Sequence, residues 1–240
     1  MHRRSLDARA RPAGVAVALA ILASLGAAGS ILGASCVCAG TVEGEIAIGA
    51  ADLAIRDTSK PNPYVGQLSA SAKATAAAAA NDTTYGVAWI ADASPDPAPP
   101  PGSARMDQLG QRFVPRILAI VAGQTVEFRN SDNVFHNIFS YSPPKRFDLG
   151  RYPKGKSRSV KFVKPGAVQV YCDIHSDMRG DIIVAPSHRF ALIGPSGRFR
   201  IEDVDAGNHT VKVWLSASGE HSGTVEVPKQ GVARLPTLMP

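Results

Sequence analysis

The chain has 240 residues, of which 45% are hydrophobic and 19% charged, with 22 glycines and 18 prolines. That is enough apolar material for a core and fits one or two domains; it excludes a disordered or collagen-like chain. The formal charge is +6, but residues 1–39 hold Arg3, Arg4, Arg9 and Arg11 against Asp7 alone, leaving 22 basic and 19 acidic residues elsewhere. Of the three cysteines, Cys36 and Cys38 close an apolar leader, so Cys172 stands alone and no disulfide framework holds the remainder.

The cationic start is followed by an apolar run from Gly14 to Ala34 and then by small residues, the layout of an export signal. Cleavage after Ala39 fits Val37-x-Ala39, giving a signal peptide over residues 1–39 and a periplasmic or otherwise exported protein. A lipid-modified Cys36, an uncleaved membrane anchor and folded export through Arg3-Arg4 are the alternatives, and the first two are the only routes to a membrane.

Residues 41–50 read as a strand with a turn, and 83–92 alternate well enough to form another. Between them, residues 69–80 are nearly all Ala and Ser; they favour a short helix by propensity but lack an amphipathic face, and they read as an insertion. Five prolines in residues 94–102 remove backbone donors and mark an extended linker. Residues 40–103 are therefore expected to be N-terminal strands carrying Ala- and Pro-rich insertions.

From Gln111 onward strands are expected at about 113–121, 125–129, 136–141, 157–163, 167–172 and 181–184, punctuated by Gly, Pro and Asn. That is the rhythm of an antiparallel sandwich over residues 104–186. Residues 187–240 repeat it on a smaller scale, with strands at 197–201, 210–215 and 222–227 and turns at Pro195-Ser196-Gly197 and Asp205-Ala206-Gly207. The expected class is all-β, with a second, smaller β-sandwich unit at the C-terminus.

Residues 171–180 read YCDIHSDMRG, which spaces Cys172, His175 and Met178 as C-x2-H-x2-M between two expected strands. A tight loop there turns all three side chains toward one point. Thiolate, imidazole and thioether form a soft to borderline donor set that suits copper and not magnesium or calcium. His136, at the start of an expected strand, supplies the second imidazole. Two His and one Cys with a weak axial Met describe a blue-copper electron-transfer site. Zinc takes the same nitrogen and sulfur donors, although structural zinc seldom uses methionine.

Phe113-x-Pro115-x-x-Leu118, Gly123, Val126-x-Phe128-x-Asn130-x-Asp132, His136-Asn137 and the Cys172 loop together resemble the small blue copper proteins, the cupredoxins, from about Met106 to Val184. The loop spacing is similar to that of amicyanin. The resemblance implies a Greek-key sandwich holding one type 1 copper ion and passing single electrons through the partly exposed His175, beside an apolar patch to which Ile174, Phe139 and Pro143 contribute. It implies that the Asn137 N–H points at the cysteine sulfur while its side chain ties the ligand loops together. Many short-loop members carry proline two residues after the cysteine; here Ile174 stands there, with an N–H free to donate a second bond to the sulfur.

Only one cysteine lies in the loop, which excludes a binuclear copper-A centre, and Tyr171 and Asp173 flank it without any His-x-His pair, which argues against multicopper oxidase or nitrite reductase chemistry. The expectation is an electron-transfer protein and not an enzyme; the alternative is a non-redox copper-storage or partner-binding module. His188, His209 and His221 are expected at surfaces or turns. Between Lys145 and Lys164, eight basic residues face Asp148 alone, which would steer an acidic redox partner. Nucleic acid is excluded by export and the lack of a stacking module, and the sequence sets no oligomeric state. Gly197-x-Phe199-x-Ile201-x-x-Val204-x-Ala206-Gly207 and Val211-x-Val213-Trp214 resemble transthyretin-like or carboxypeptidase regulatory-like modules, with Trp214 expected in the core. Cupredoxins joined to such a module resemble methylamine-utilisation-type proteins.

Overall fold

A computed structural model describes residues 39–55 and 83–239. The leader and the Ala/Ser stretch at 69–80 lie outside the described residues. The chain opens with β1 (Ala39–Glu45), a short helix α1 (Ala50–Ile55) and β2 (Gly86–Ile90). Then come β3 (Ser103–Gln108), β4 (Phe113–Val114), β5 (Ile117–Val121), β6 (Thr125–Asn130), β7 (Phe139–Ser140), β8 (Phe147–Asp148), β9 (Ser157–Lys161), β10 (Gly166–Tyr171) and β11 (Arg179–Ala185). It closes with β12 (Phe190–Ile193), β13 (Arg198–Asp205), β14 (Gly207–Leu215), β15 (Gly219–Val227) and β16 (Val232–Arg234). The described residues are thus all-β apart from α1.

Four sheets form two sandwiches. Sheets β5-β11-β10-β7-β8 and β4-β3-β6-β9 enclose one core, which includes Met106, Phe113, Phe128, Phe162, Val168, Val170 and Ile182. Sheets β12-β2-β14-β15 and β13-β1-β16 enclose the other, around Val42, Ile90, Ile201, Val211 and Val213. The second sandwich is not made of residues 187–239 alone. β1 pairs antiparallel with β13 and parallel with β16, and β2 lies between β12 and β14. Strands from both ends of the described chain complete one sandwich, and the strands β3 to β11 form the other between them.

A third apolar cluster joins the two. Val87 and Trp89 of β2 pack with Ile117 of β5 and with Ile183 and Ala185 of β11, with Trp214 packed against the cluster. Successive strand residues face opposite sides, so β2 sends Ala88 and Ile90 into one core and Val87 and Trp89 into the seam. In β11, Ile182 and Val184 face the first core while Ile183 and Ala185 face the seam. Both strands are buried on both faces, which is why Val87 to Ile90 and Ile182 to Ala185 are apolar without a break. Trp214 therefore packs at the seam and not in the sandwich interior.

Local differences from the sequence reading have local causes. The run 113–121 breaks into β4 and β5 at Pro115, which has no N–H for a ladder. The strand expected at 136–141 shrinks to Phe139–Ser140, because His136 makes only an isolated bridge to Tyr152.

Candidate metal centre

Two segments converge at one end of the first sandwich. In β10, Val168 and Val170 point into the core, and the same alternation carries Cys172, just past the strand, inward beside them. The loop then closes on itself: the Met178 N–H donates to the His175 carbonyl (3.0 Å), and the Cys172 N–H donates to the Met178 carbonyl (3.2 Å). Met178 is buried in the same core cluster as Cys172. On the other segment, His136 and Tyr152 exchange backbone bonds of 3.3 and 2.8 Å, and Asn130 clamps the turn by donating from Nδ2 to the carbonyls of Val134 (2.8 Å) and Tyr152 (2.9 Å).

The result brings His136, Cys172 and His175 together, with their ligating atoms within 4.8 Å of one another. The Cys172 Sγ lies 3.8 Å from Nδ1 of His136 and 3.8 Å from Nδ1 of His175. A metal held about 2.3 Å from sulfur and about 2.05 Å from nitrogen spans about 3.8 Å between them at a trigonal angle and about 3.6 Å at a tetrahedral one. Each sulfur-to-nitrogen spacing, and the donor set, therefore suits a metal shared between the Cys172 sulfur and a histidine nitrogen. His136 is fully buried and His175 half-buried, so Nδ1 of each faces inward while the far edge of His175 approaches the surface.

Electrostatics prepare the thiolate. Burial pushes the Cys172 thiol up, but the hydrogen bonds from His136, from the N–H groups of Asn137 and Ile174, and from His175 bring it down to about 6. Burial pushes His136 down, yet the hydrogen bond to Asp132 and the contact with Cys172 raise it to about 9. The Asn137 side chain accepts the Asp173 N–H at 2.7 Å, tying the His136 and Cys172 segments together. Arg151 adds an ion pair to Asp173 at 3.0 Å from the far side.

Asp132 is the residue that sequence reasoning passed over as a functional group. Its Oδ2 lies 2.8 Å from Nε2 of His136, and both side chains are buried. The i,i+4 spacing was visible, but in a non-helical turn that spacing carries no expectation of contact. His188 pairs with Asp96, His209 bonds the Asp205 carbonyl and His221 bonds Ser218; none belongs to the cluster. His175 is half-buried; Ile174, Phe135 and Tyr141 are exposed, and Phe139 packs on Tyr171 and Tyr141.

No helix among the described residues is long and apolar enough to cross a membrane. No family model and no curated protein matches the chain. Solved structures do. A copper-containing nitrite reductase from Thermus scotoductus SA-01 is 29% identical, with a TM-score of 0.34 and coverage of 35% of this chain. The chain spans only 23% of that reductase. A purple cupredoxin from Nitrosopumilus maritimus is 26% identical, with a TM-score of 0.31, covering 34% of this chain and 99% of that one. Amicyanin from Paracoccus versutus is 23% identical, with a TM-score of 0.33, covering 35% and 83%. Cupredoxins are thus among the solved structures this chain is similar to, at low identity and over part of its length.

Proposed function

We propose that the chain is an exported type 1 copper protein that carries single electrons, and that His136, Cys172, His175 and Met178 would hold the ion. The observation that carries this reading is the pair of 3.8 Å sulfur-to-nitrogen separations around a buried cysteine whose sulfur accepts two backbone N–H bonds. Copper supplies a centre that accepts and gives up one electron. The residues hold the donors fixed: Asn137 and Ile174 anchor the sulfur, the closed 172–178 loop sets His175 and Met178, and the packed sandwich limits movement between oxidation states. His175, half-buried and next in the chain to the exposed Ile174, is the exit for the electron.

The partner is an acidic redox protein. Lys154, Lys156, Arg158 and Lys161 are exposed along edge strand β9 and the turn before it. The turn is bonded to Asn130 beside the ligand segment, so the positive charge flanks the site. The second sandwich is a transthyretin-like or carboxypeptidase regulatory-like module that backs the copper domain, and the leader directs the chain to the periplasm.

The test is the visible and EPR spectrum of the purified, metal-free protein titrated with Cu(II), beside a Cys172→Ser control. An intense thiolate-to-copper band saturating at one equivalent, absent from the control, and a reversible potential are expected. A colourless protein, or a metal that does not cycle, would reject the carrier.

A further inference from the structure

His136 can ligate through Nδ1 only if its single proton sits on Nε2. Nothing in an imidazole ensures this, because the two neutral tautomers are close in energy and the partner of the other nitrogen decides between them. Here the partner of Nε2 is the Asp132 carboxylate, 2.8 Å away, and an ionised carboxylate only accepts. The carboxylate is itself built into place. Oδ1 accepts the Gly110 N–H at 2.5 Å, and Oδ2 accepts the Gln111 N–H at 2.7 Å as well as His136. Those two N–H groups converge because Gly110 and Gln111 both take left-handed backbone angles, φ 64° and 56°. Glycine adopts that angle freely, but for glutamine it is uncommon. The Asp132 N–H in turn donates to Oδ1 of Asn130 at 2.9 Å.

From this geometry we infer that Asp132 is a positioning residue that locks His136 in the Nε2–H tautomer and presents its Nδ1 lone pair, with added negative charge, to the metal. The turn at 110–111 exists to hold that carboxylate. The inference rests on His136 being a metal ligand and not on the redox role of the site. It commits to a consequence. In Asp132→Asn one oxygen must serve three donors, and the new amide must face either a backbone N–H or the His136 N–H. If the amide donates to Nε2, the ring carries its proton on Nδ1 and cannot ligate there.

Two measurements test this with zinc as a redox-silent probe and Cu(II) beside it. In the 15N-labelled, zinc-loaded native protein, long-range 1H–15N correlation is expected to place the His136 proton on Nε2, exchanging more slowly than that of His175. In folded Asp132→Asn, verified by circular dichroism, zinc affinity by chelator competition is expected to fall about 10- to 100-fold, and the potential of the copper form to rise. A His136 proton on Nδ1 in the native protein, or unchanged zinc affinity in the folded variant, overturns the lock. Should the variant not fold, the metal-free native protein, taken to a pH at which His136 is neutral, decides: a proton on Nδ1 there overturns the lock. Zinc binding with the proton on Nε2 but no thiolate-to-copper band would keep the lock and reject the electron carrier.

Discussion

Asp181 and Ser216 are hydrogen-bonded across the seam between the sandwiches, a carboxylate on β11 meeting a hydroxyl just past β14, both buried. Burial pushes the Asp181 carboxyl above the usual carboxylate range, and Ser216, Arg116, Arg179 and Gln169 counter this only in part. In strong acid the group is neutral in folded and unfolded chains alike and costs nothing. As the pH rises past the ordinary carboxylate value, the unfolded chain releases its proton first. The folded state then holds the extra proton, so stability falls with pH until the raised value is passed. Asp181→Asn keeps the shape without the charge. Its melting temperature relative to the native protein is expected to improve from pH 4 to pH 7, followed by circular dichroism. A difference that stays flat or shrinks over that range would remove Asp181 as the cause.

Ile174 offers a redox prediction. Its N–H is one of two backbone donors to the Cys172 sulfur, and the side chain is exposed, so replacing it disturbs no core. The sulfur carries more negative charge when the copper is reduced, so the N–H favours the reduced state. Ile174→Pro deletes that donor. A bond worth about 1 kcal/mol more to one oxidation state moves a one-electron potential by about 40 mV. Voltammetry is expected to show a fall of that order, and an unchanged or higher potential contradicts the assignment.

The site and the fold differ in how much of them the sequence discloses. That Cys172 and His175 come together is legible because only two residues separate them, and a loop that short leaves few geometries. His136 is legible through chemistry, since the loop's donor set lacks a second imidazole. Asp132 is not, because its role depends on a turn at Gly110 and Gln111 delivered by other strands. Strand existence could be read from alternation, as in Val168, Val170 and Cys172. Partnership could not: β1 finds β13 and β16 more than 150 residues away, and periodicity says which face is apolar, not what covers it. Short strands such as Phe147–Asp148 carry too few residues to show any period.

The seam makes Trp89 a second stability prediction. It is 2% exposed and packs with Ile117 and Ile183 of the other sandwich. Trp89→Ala removes a large buried ring from a place closed on both sides by sheet, and truncations of this kind cost about 3–5 kcal/mol. Urea unfolding is expected to show that loss. The cluster is separate from the one containing Cys172 and Met178, so the thiolate-to-copper band of the folded variant should keep its position. A shifted band would mean that the seam shapes the metal site.

The basic flank gives the prediction closest to biological use. Lys154 and Lys156 sit in the turn that Asn130 holds, with the Gly155 N–H donating to the Asn130 carbonyl at 2.7 Å and the Asn130 N–H to the Lys156 carbonyl at 3.0 Å. Asn130 in turn anchors the segment leading to His136, so charge placed on these lysines is held at a fixed distance from the site. Reversing both to glutamate leaves the core untouched but inverts the field that an approaching partner meets. Oxidation of the reduced copper form by ferricyanide, an anionic probe, is expected to slow at low salt, while oxidation by a cationic cobalt complex speeds up. Both effects should fade toward 1 M salt, where the Debye length is about 3 Å. Equal rates for native and reversed proteins with both probes at low salt would show that the basic strand faces away from the path by which the electron leaves, and the acidic-partner proposal would fall with it.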